Sequence, residues 1–244
     1  SRGTILRTLG LIGGVSWHST AEYYRLLNQH VSSIRGPTHS ARLFISSINF
    51  SDLLHWQKKE NAQLLVENFI VEGRKLKAAG CEGFLIASHT LTWLGDLIEA
   101  ETGMKHLSLF EALIRSLKTL AIRKIGLTGT SYTMKDERYR DKYQAAGFEV
   151  LIPREPHLTQ VSTIVYRELV RGTFRNESRN AFHNCFADLI AQGAEAILLG
   201  CTEIGLLITE RQATAPDSAL PRIVPLIDLI ETHVNQCCEW ILEE

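Results

Sequence analysis

Short apolar runs alternate with longer amphipathic ones along this chain. Thr8–Ile12 is apolar and runs into Gly13-Gly14, and the spacing that follows predicts a helix from near Ser16 or Ser19, with Tyr23, Leu26 and Leu27 on its face. Leu43–Ile48 predicts a second strand, residues 60–79 a helix with Leu65, Phe69 and Leu76 inward, and Phe84–Ala87 a third strand. Helices follow at Leu91–Glu101, broken near Gly103, and at Phe110–Leu120. Lys124–Thr128 opens a new cycle, with strands at Val150–Pro153, Ile197–Gly200 and Ile223–Leu226 and helices over 161–171, 178–192 and 229–243. Pro225 assigns the last strand to an edge or a strand end, because proline has no ladder donor. Short strands alternating with helices of about ten or more residues imply α/β layers built on parallel strands.

The second cycle echoes the first. Gly10-Leu-Ile-Gly-Gly14 matches Gly126-Leu-Thr-Gly-Thr130. More tellingly, Gly80–Thr90 lines up with Gly193–Glu203 at a constant offset of 113 residues, which sets Ser88 opposite Cys201. Each copy reads as a helix end, a short apolar strand and a small-residue turn carrying a nucleophilic or proton-transferring side chain. The expected fold is therefore α/β, with two pseudo-symmetric parallel-sheet lobes and the active cleft between them, beyond the carboxyl ends of their strands. Residues 1–104 with the C-terminal helix 226–244 are expected to form the first lobe, and 105–225 the second.

Composition narrows the function. The chain has 244 residues, enough for two modest domains that each bury a core. A formal net charge of -1, with no basic stripe, gives no reason to expect a nucleic-acid partner. No apolar run approaches the roughly 18 residues of a membrane span, and the first residues lack a secretory signal's apolar segment. Five cysteines form neither a disulfide framework nor a Cys-x-x-Cys pair. A cytoplasmic, reducing setting would let Cys201 persist as a thiol. The histidines show no metal-ligand spacing, and Gly10-x-x-Gly-Gly lacks the dinucleotide fingerprint, so neither a metal nor a cofactor is expected.

Five motifs in order carry a family resemblance: Gly10–Thr20, His39–Arg42, Gly129–Met134, Gly200–Ile204, and Asp228 with His233 five residues on. Over nearly its whole length the chain resembles the pyridoxal-phosphate-independent aspartate/glutamate racemases. The resemblance implies two pseudo-symmetric α/β domains, a homodimer, a small-molecule substrate that is an amino acid or small dicarboxylate, and no cofactor or metal. It also implies two side chains flanking the substrate's α-carbon, usually both cysteines. Here they are Ser88 and Cys201, a departure from that pattern. Two further departures are His89 in place of the usual asparagine and Thr92 in place of the usual histidine. Val170 stands near where many aspartate-specific relatives carry a lysine, leaving Arg171 or Lys58 for a distal carboxylate. Substrate contacts are expected from Ser16, Thr90, Thr130, Thr133, Thr202 and Glu203.

Several residues admit two readings. Cys201 is a proton-transfer thiol, activated at a strand end before a helical turn, or a small buried hydrophobe. Ser88 exchanges a proton with substrate, aided by His89, or only donates a hydrogen bond. His89 in turn deprotonates Ser88, touches substrate itself, or adds to the site's electrostatics. Glu203 poises Cys201 or caps a first helical turn. Ser16, Ser19 and Ser131 are equally ordinary helix caps. His233 supports Cys201 or protonates an intermediate, or it is a partly exposed helical residue with Asp228 as a cap. Trp17 and Trp56 wall a pocket or pack in the core. The function expected first is cofactor-independent racemisation of aspartate or glutamate. A diacid decarboxylase or isomerase using one principal cysteine stands second, and a catalytically weak ligand-binding homologue third.

Overall fold

The computed structural model describes residues 6–215 and 222–243. They form two compact units. The first runs to Ala112 and takes back the chain from Ile230; the second spans Leu113–Leu229.

In the first unit β1 (Leu9–Gly13) leads into α1 (Trp17–Arg35) and β2 (Leu43–Ser47). Then come α2 (Phe50–Trp56), a 3₁₀ turn at Lys59–Asn61, α3 (Ala62–Ala78), β3 (Gly83–Ile86), α4 (Leu94–Thr102), β4 (Lys105–His106) and α5 (Leu109–Thr119), whose residues from Leu113 on belong to the second unit. The strand order is β2-β1-β3-β4 and every pairing is parallel. β1 and β3 are buried at every position, which is why their sequences are unbroken apolar runs rather than alternating ones. Several elements differ from the sequence expectation, among them the two-residue β4, which the apolar pattern does not announce. Helix α2, capped where Asn49 accepts from the Ser51 amide, was not foreseen, and α4 begins only at Leu94, so Leu91–Trp93 is turn.

The second unit holds β5 (Lys124–Thr128), α6 (Ser131–Lys135), α7 (Glu137–Ala145), β6 (Glu149–Leu151), α8 (His157–Arg167) and α9 (Asn176–Ala191). It continues through β7 (Ala196–Leu199), α10 (Ile204–Leu207), β8 (Gln212–Ala215) and β9 (Arg222–Asp228). The order is β6-β5-β7-β9-β8, parallel except for the antiparallel β8–β9 pair. This corrects the edge assignment of the last strand: β9 lies between β7 and β8. Proline is tolerated there because of its register. Leu226 donates to Arg211 O on the β8 side, so by alternation the position of Pro225 faces β7, whose ladder with β9 begins only at Ile197↔Leu226.

The internal repeat has a physical counterpart in the starts of the central strands. The Thr8 amide donates to Glu82 Oε1 at 2.9 Å while the Glu82 amide donates to Thr8 O at 3.0 Å. In the other unit the Lys124 amide donates to Glu195 Oε2 at 2.9 Å and the Glu195 amide to Lys124 O at 2.8 Å. A strand's first amide needs an acceptor once it leaves water, and both units supply it with a glutamate just before the neighbouring strand. Both preceding helices also end through a left-handed glycine, Gly80 and Gly193.

The C-terminal helix α11 (Leu229–Leu242) belongs to the first unit. Its Ile230, Val234, Cys237, Cys238 and Ile241 complete a core with Leu9, Tyr23, Leu27 and Phe84. Among the described residues no helix is long and apolar enough to cross a membrane.

Candidate functional site

In the second unit the sheet presents Cys201 and its neighbours just past β7. Gly200 is required there: its amide donates to Thr128 O at 3.0 Å, and a Cβ would lie 2.1 Å from that same oxygen. The chain then turns through Cys201–Glu203 into α10, with Ile204 N donating to Cys201 O. Cys201 is half-buried, and its Sγ donates to Glu203 Oε2 at 2.8 Å. Thr202 Oγ1 donates to the same oxygen at 3.0 Å. Glu203 is buried and occupies the N-cap position of α10, yet its side chain makes no capping bond. Of the two readings of Glu203, the geometry is that of a buried acid against Cys201.

The thiol is not the low-pKa group that a helix N-terminus would produce. Burial, then the Glu203 charge, then the hydrogen bond to Glu203 push it well above the ordinary cysteine range. Helix α10 is only four residues long, too short to offset a carboxylate in direct contact. The expected activation by a helix field is therefore replaced by a thiol that rests protonated against its own acceptor.

Asp228 stands at the end of β9, opposite Leu199 in register. Its Oδ2 fills the space that a side chain on Gly205 would take, 1.7 Å from the ideal Cβ, so any larger residue in the first turn of α10 must displace the Asp228 carboxylate. Thr130 caps α6, accepting from the Thr133 amide at 3.1 Å, and its hydroxyl meets Thr133 Oγ1 at 3.1 Å. Ser131 is not the cap; its amide donates to Ser162 Oγ at 2.7 Å.

The first unit places its candidates after β1 and β3. Gly14, at φ 77°, lets the turn pass Ile48 O, which a Cβ would approach to 2.0 Å. Ser16 follows at φ 63°, a strained value for a side-chain-bearing residue, and stands at the N-cap of α1 without capping it. Its hydroxyl is buried and has no hydrogen-bond partner. Past β3, Ser88 and His89 are both buried, and Ser88 Oγ lies 3.3 Å from Thr90 Oγ1. Thr92 is buried nearby in sequence, and its hydroxyl too is unpartnered.

His233 is not the partly exposed helical residue of one reading. It is fully buried, with Nε2 donating to Leu107 O at 2.7 Å and Nδ1 accepting from Tyr23 OH at 2.7 Å. Leu107 O can only accept, which fixes the proton on Nε2. Burial holds the ring neutral, lowering its pKa to about 4, with the nearby His106 adding to the effect. Trp17 is 64% exposed rather than packed in the core, whereas Trp56 packs against the core of the first unit. His39 is exposed. Sequence reasoning missed Tyr23 as the partner of His233; the Asp-x₄-His element carried no hint of a residue 210 positions away. Among the described residues no three His, Cys, Asp or Glu side chains gather as a metal site would require.

Comparison with known proteins decides the lineage. The family model described as Asp/Glu/Hydantoin racemase matches residues 12–237. The chain belongs to this family. A solved structure of a candidate Asp/Glu racemase from Yersinia pestis is 35% identical, with 98% of this chain and 100% of that one covered at a TM-score of 0.85. An aspartate racemase homologue from Pyrococcus horikoshii is 26% identical over 98% of this chain and 100% of its own, with a TM-score of 0.80. The aspartate racemase of Picrophilus torridus, at 18% identity, covering 93% of this chain and 91% of its own with a TM-score of 0.66, shares the fold.

Proposed function

We propose that this family member is a cofactor-independent amino-acid racemase acting on aspartate or glutamate. The observation that carries the reading is the 2.8 Å hydrogen bond from Cys201 Sγ to the buried Glu203 carboxylate. Glu203 accepts the thiol proton, and the thiolate so formed takes the substrate's α-proton: one S–H and one C–H bond break, and the S–H bond is remade. A thiolate whose conjugate acid is held above the ordinary range is a stronger base, which suits a weakly acidic C–H. Hydroxyl and amide donors, with Ser16, Thr90, Thr130, Thr133 and Thr202 as candidates, hold the carboxylate and the enolate-like charge. Ser88 returns a proton to the opposite face of the carbanion, with His89 first in line to make good that proton. No oxidant or reductant is needed, since one C–H bond is lost and one regained.

The test is α-hydrogen exchange in deuterated water, followed by proton NMR on both hands of aspartate and glutamate. Loss of the α-proton signal with the purified protein is expected; no exchange from any of the four would sink the reading. One observation favours a second reading. Cys81, Cys185, Cys237 and Cys238 are buried, so Cys201 is the single partly exposed thiol. A one-sided reaction, in which a malonate-like diacid loses CO₂ and Cys201 protonates the carbanion, needs only that thiol. Product from malonate-like substrates, without α-exchange of amino acids, would favour it.

A further inference from the structure

Threonine hydroxyls in this fold are usually satisfied within the protein. Thr102 and Thr163 hand their protons to carbonyls one helical turn back, Thr20 does the same to Ser16 O, and Thr128 donates to Leu198 O. Thr92 does not. It is 5% exposed, its Oγ1 is shut off from solvent, and it has no partner. Ser16, 9% exposed, is the other buried hydroxyl in this condition among the described residues.

Both lie beyond the carboxyl ends of β1 and β3, which pair directly in the first unit's sheet. That is the end of a parallel sheet where ligands bind. Burying a hydroxyl without a partner costs stability, and an apolar residue of the same shape would avoid the cost. Ser16 adds a second cost through its positive φ. Two unmet hydroxyls on adjacent strand ends are what a pre-formed ligand contact looks like before its ligand arrives.

The geometry points to Thr92, together with Ser16, as a hydrogen-bonding pair for a small carboxylate ligand, with Thr92 as a specificity-determining residue of the first unit. The inference rests on the racemase reading only for the choice of ligand. A hydroxyl donates one bond and accepts others, so the pair serves a carboxylate oxygen or an α-ammonium without adding charge. Thr92 also stands where the family resemblance leads one to expect a histidine, so this chain offers an uncharged contact at that position.

The test uses the full chain and three variants: Thr92→Val, which keeps the shape and removes the hydroxyl, Thr92→Ser, which keeps the hydroxyl, and Ser16→Ala. The probes are both hands of aspartate and of glutamate, with malonate and maleate as controls for the diacid reading. Thr92→Val should raise the Tm of the ligand-free protein by about 2–4 °C. It should also shrink the Tm rise produced by the binding probe and weaken its affinity by about tenfold or more. Thr92→Ser should restore most of that affinity, and Ser16→Ala should weaken it in the same sense. A lower ligand-free Tm for Thr92→Val would show that the hydroxyl has an internal role and overturn the inference. So would unchanged affinity in that variant, or the failure of every probe to stabilise the parent. Absence of α-exchange with a probe that still binds would defeat the racemase reading alone and leave the Thr92 measurement intact.

Discussion

A thiol that donates to a buried carboxylate behaves differently from a free one, and Cys201 is the residue on which that difference shows. Glu203 raises the Cys201 pKa by its charge and by accepting the S–H, in addition to the effect of burial. Replacing it, as in Glu203→Gln, removes the charge, so the midpoint for alkylation of Cys201 by iodoacetamide should fall relative to the parent. Exchange of the α-proton should fall as well, by about 10²-fold, because the thiol loses its proton acceptor. A midpoint that stays in place would mean that Glu203 does not govern the thiol. For the opposite face, Ser88→Ala should abolish racemisation while exchange from one enantiomer survives, and Ser88→Cys should preserve or improve two-way turnover. Racemisation at the parent rate in Ser88→Ala would reduce Ser88 to part of the wall. The chain's pattern made Cys201 and Ser88 visible, since the repeat aligns them. Which of two roles Glu203 plays was not visible, because both place a carboxylate two residues after the cysteine, and only its side-chain direction separates them. In the sequence Thr92 shows only as a departure from the family's histidine; its unmet hydroxyl is a property of its surroundings.

Elements were legible in proportion to their length and burial. β5 matches Lys124–Thr128 residue for residue, and α3 and α9 lie within about two residues of their expected bounds. Short elements escaped. α6 and α10 have five and four residues, too few to display a helical period, and α7 shows only Tyr139 and Tyr143 on its buried side. β8 is hidden because its partner β9 supplies the pairing that makes it a strand. Helix α11 was foreseen, but not the pin that seats it. His233 is neutral in the fold, with a pKa near 4 against about 6.5 in an unfolded chain. Below pH 6.5 the unfolded chain therefore binds the proton first. The stability held by the neutral ring is complete above that pH and is lost as pH falls through 4, by an order of about 3 kcal/mol. His106, also lowered by burial, adds to the same limb. Chemical denaturation between pH 7 and 4 should show this loss, and His233→Gln should flatten it. A parent whose stability is level across that range would contradict the assignment. In the second unit, Gly205→Ala drives a methyl group into Asp228 and should cost about 1–3 kcal/mol while displacing the Cys201–Glu203 turn.

Across the whole molecule the sequence repeat is matched by a shared construction of the strand starts. Glu82 and Glu195 each accept an amide at or just before the start of a central strand, so Glu82→Ala and Glu195→Ala should each destabilise by about 1–3 kcal/mol, in similar measure. A large difference between them would mean that the likeness is only geometric. Burial also gives the molecule an alkaline limit. Cys81 is raised to about 11 and Cys238 to about 12, while Cys185, Cys201 and Cys237 are raised as well. An unfolded thiol ionises near pH 8.5, so above that pH the unfolded chain holds fewer protons than the folded one and stability falls as pH rises. Denaturation midpoints under reducing conditions should drop from pH 8 to 10.5. The return of α11 to the first unit has a consequence for birth rather than for equilibrium. The second unit, Leu113–Leu229, is one uninterrupted stretch and can close as soon as it clears the ribosome. The earlier-made unit completes its core only with Ile230–Ile241, which emerge after the whole of the later one. The first-synthesised half is thus expected to finish last, with the apolar surface that α11 covers left open in the meantime.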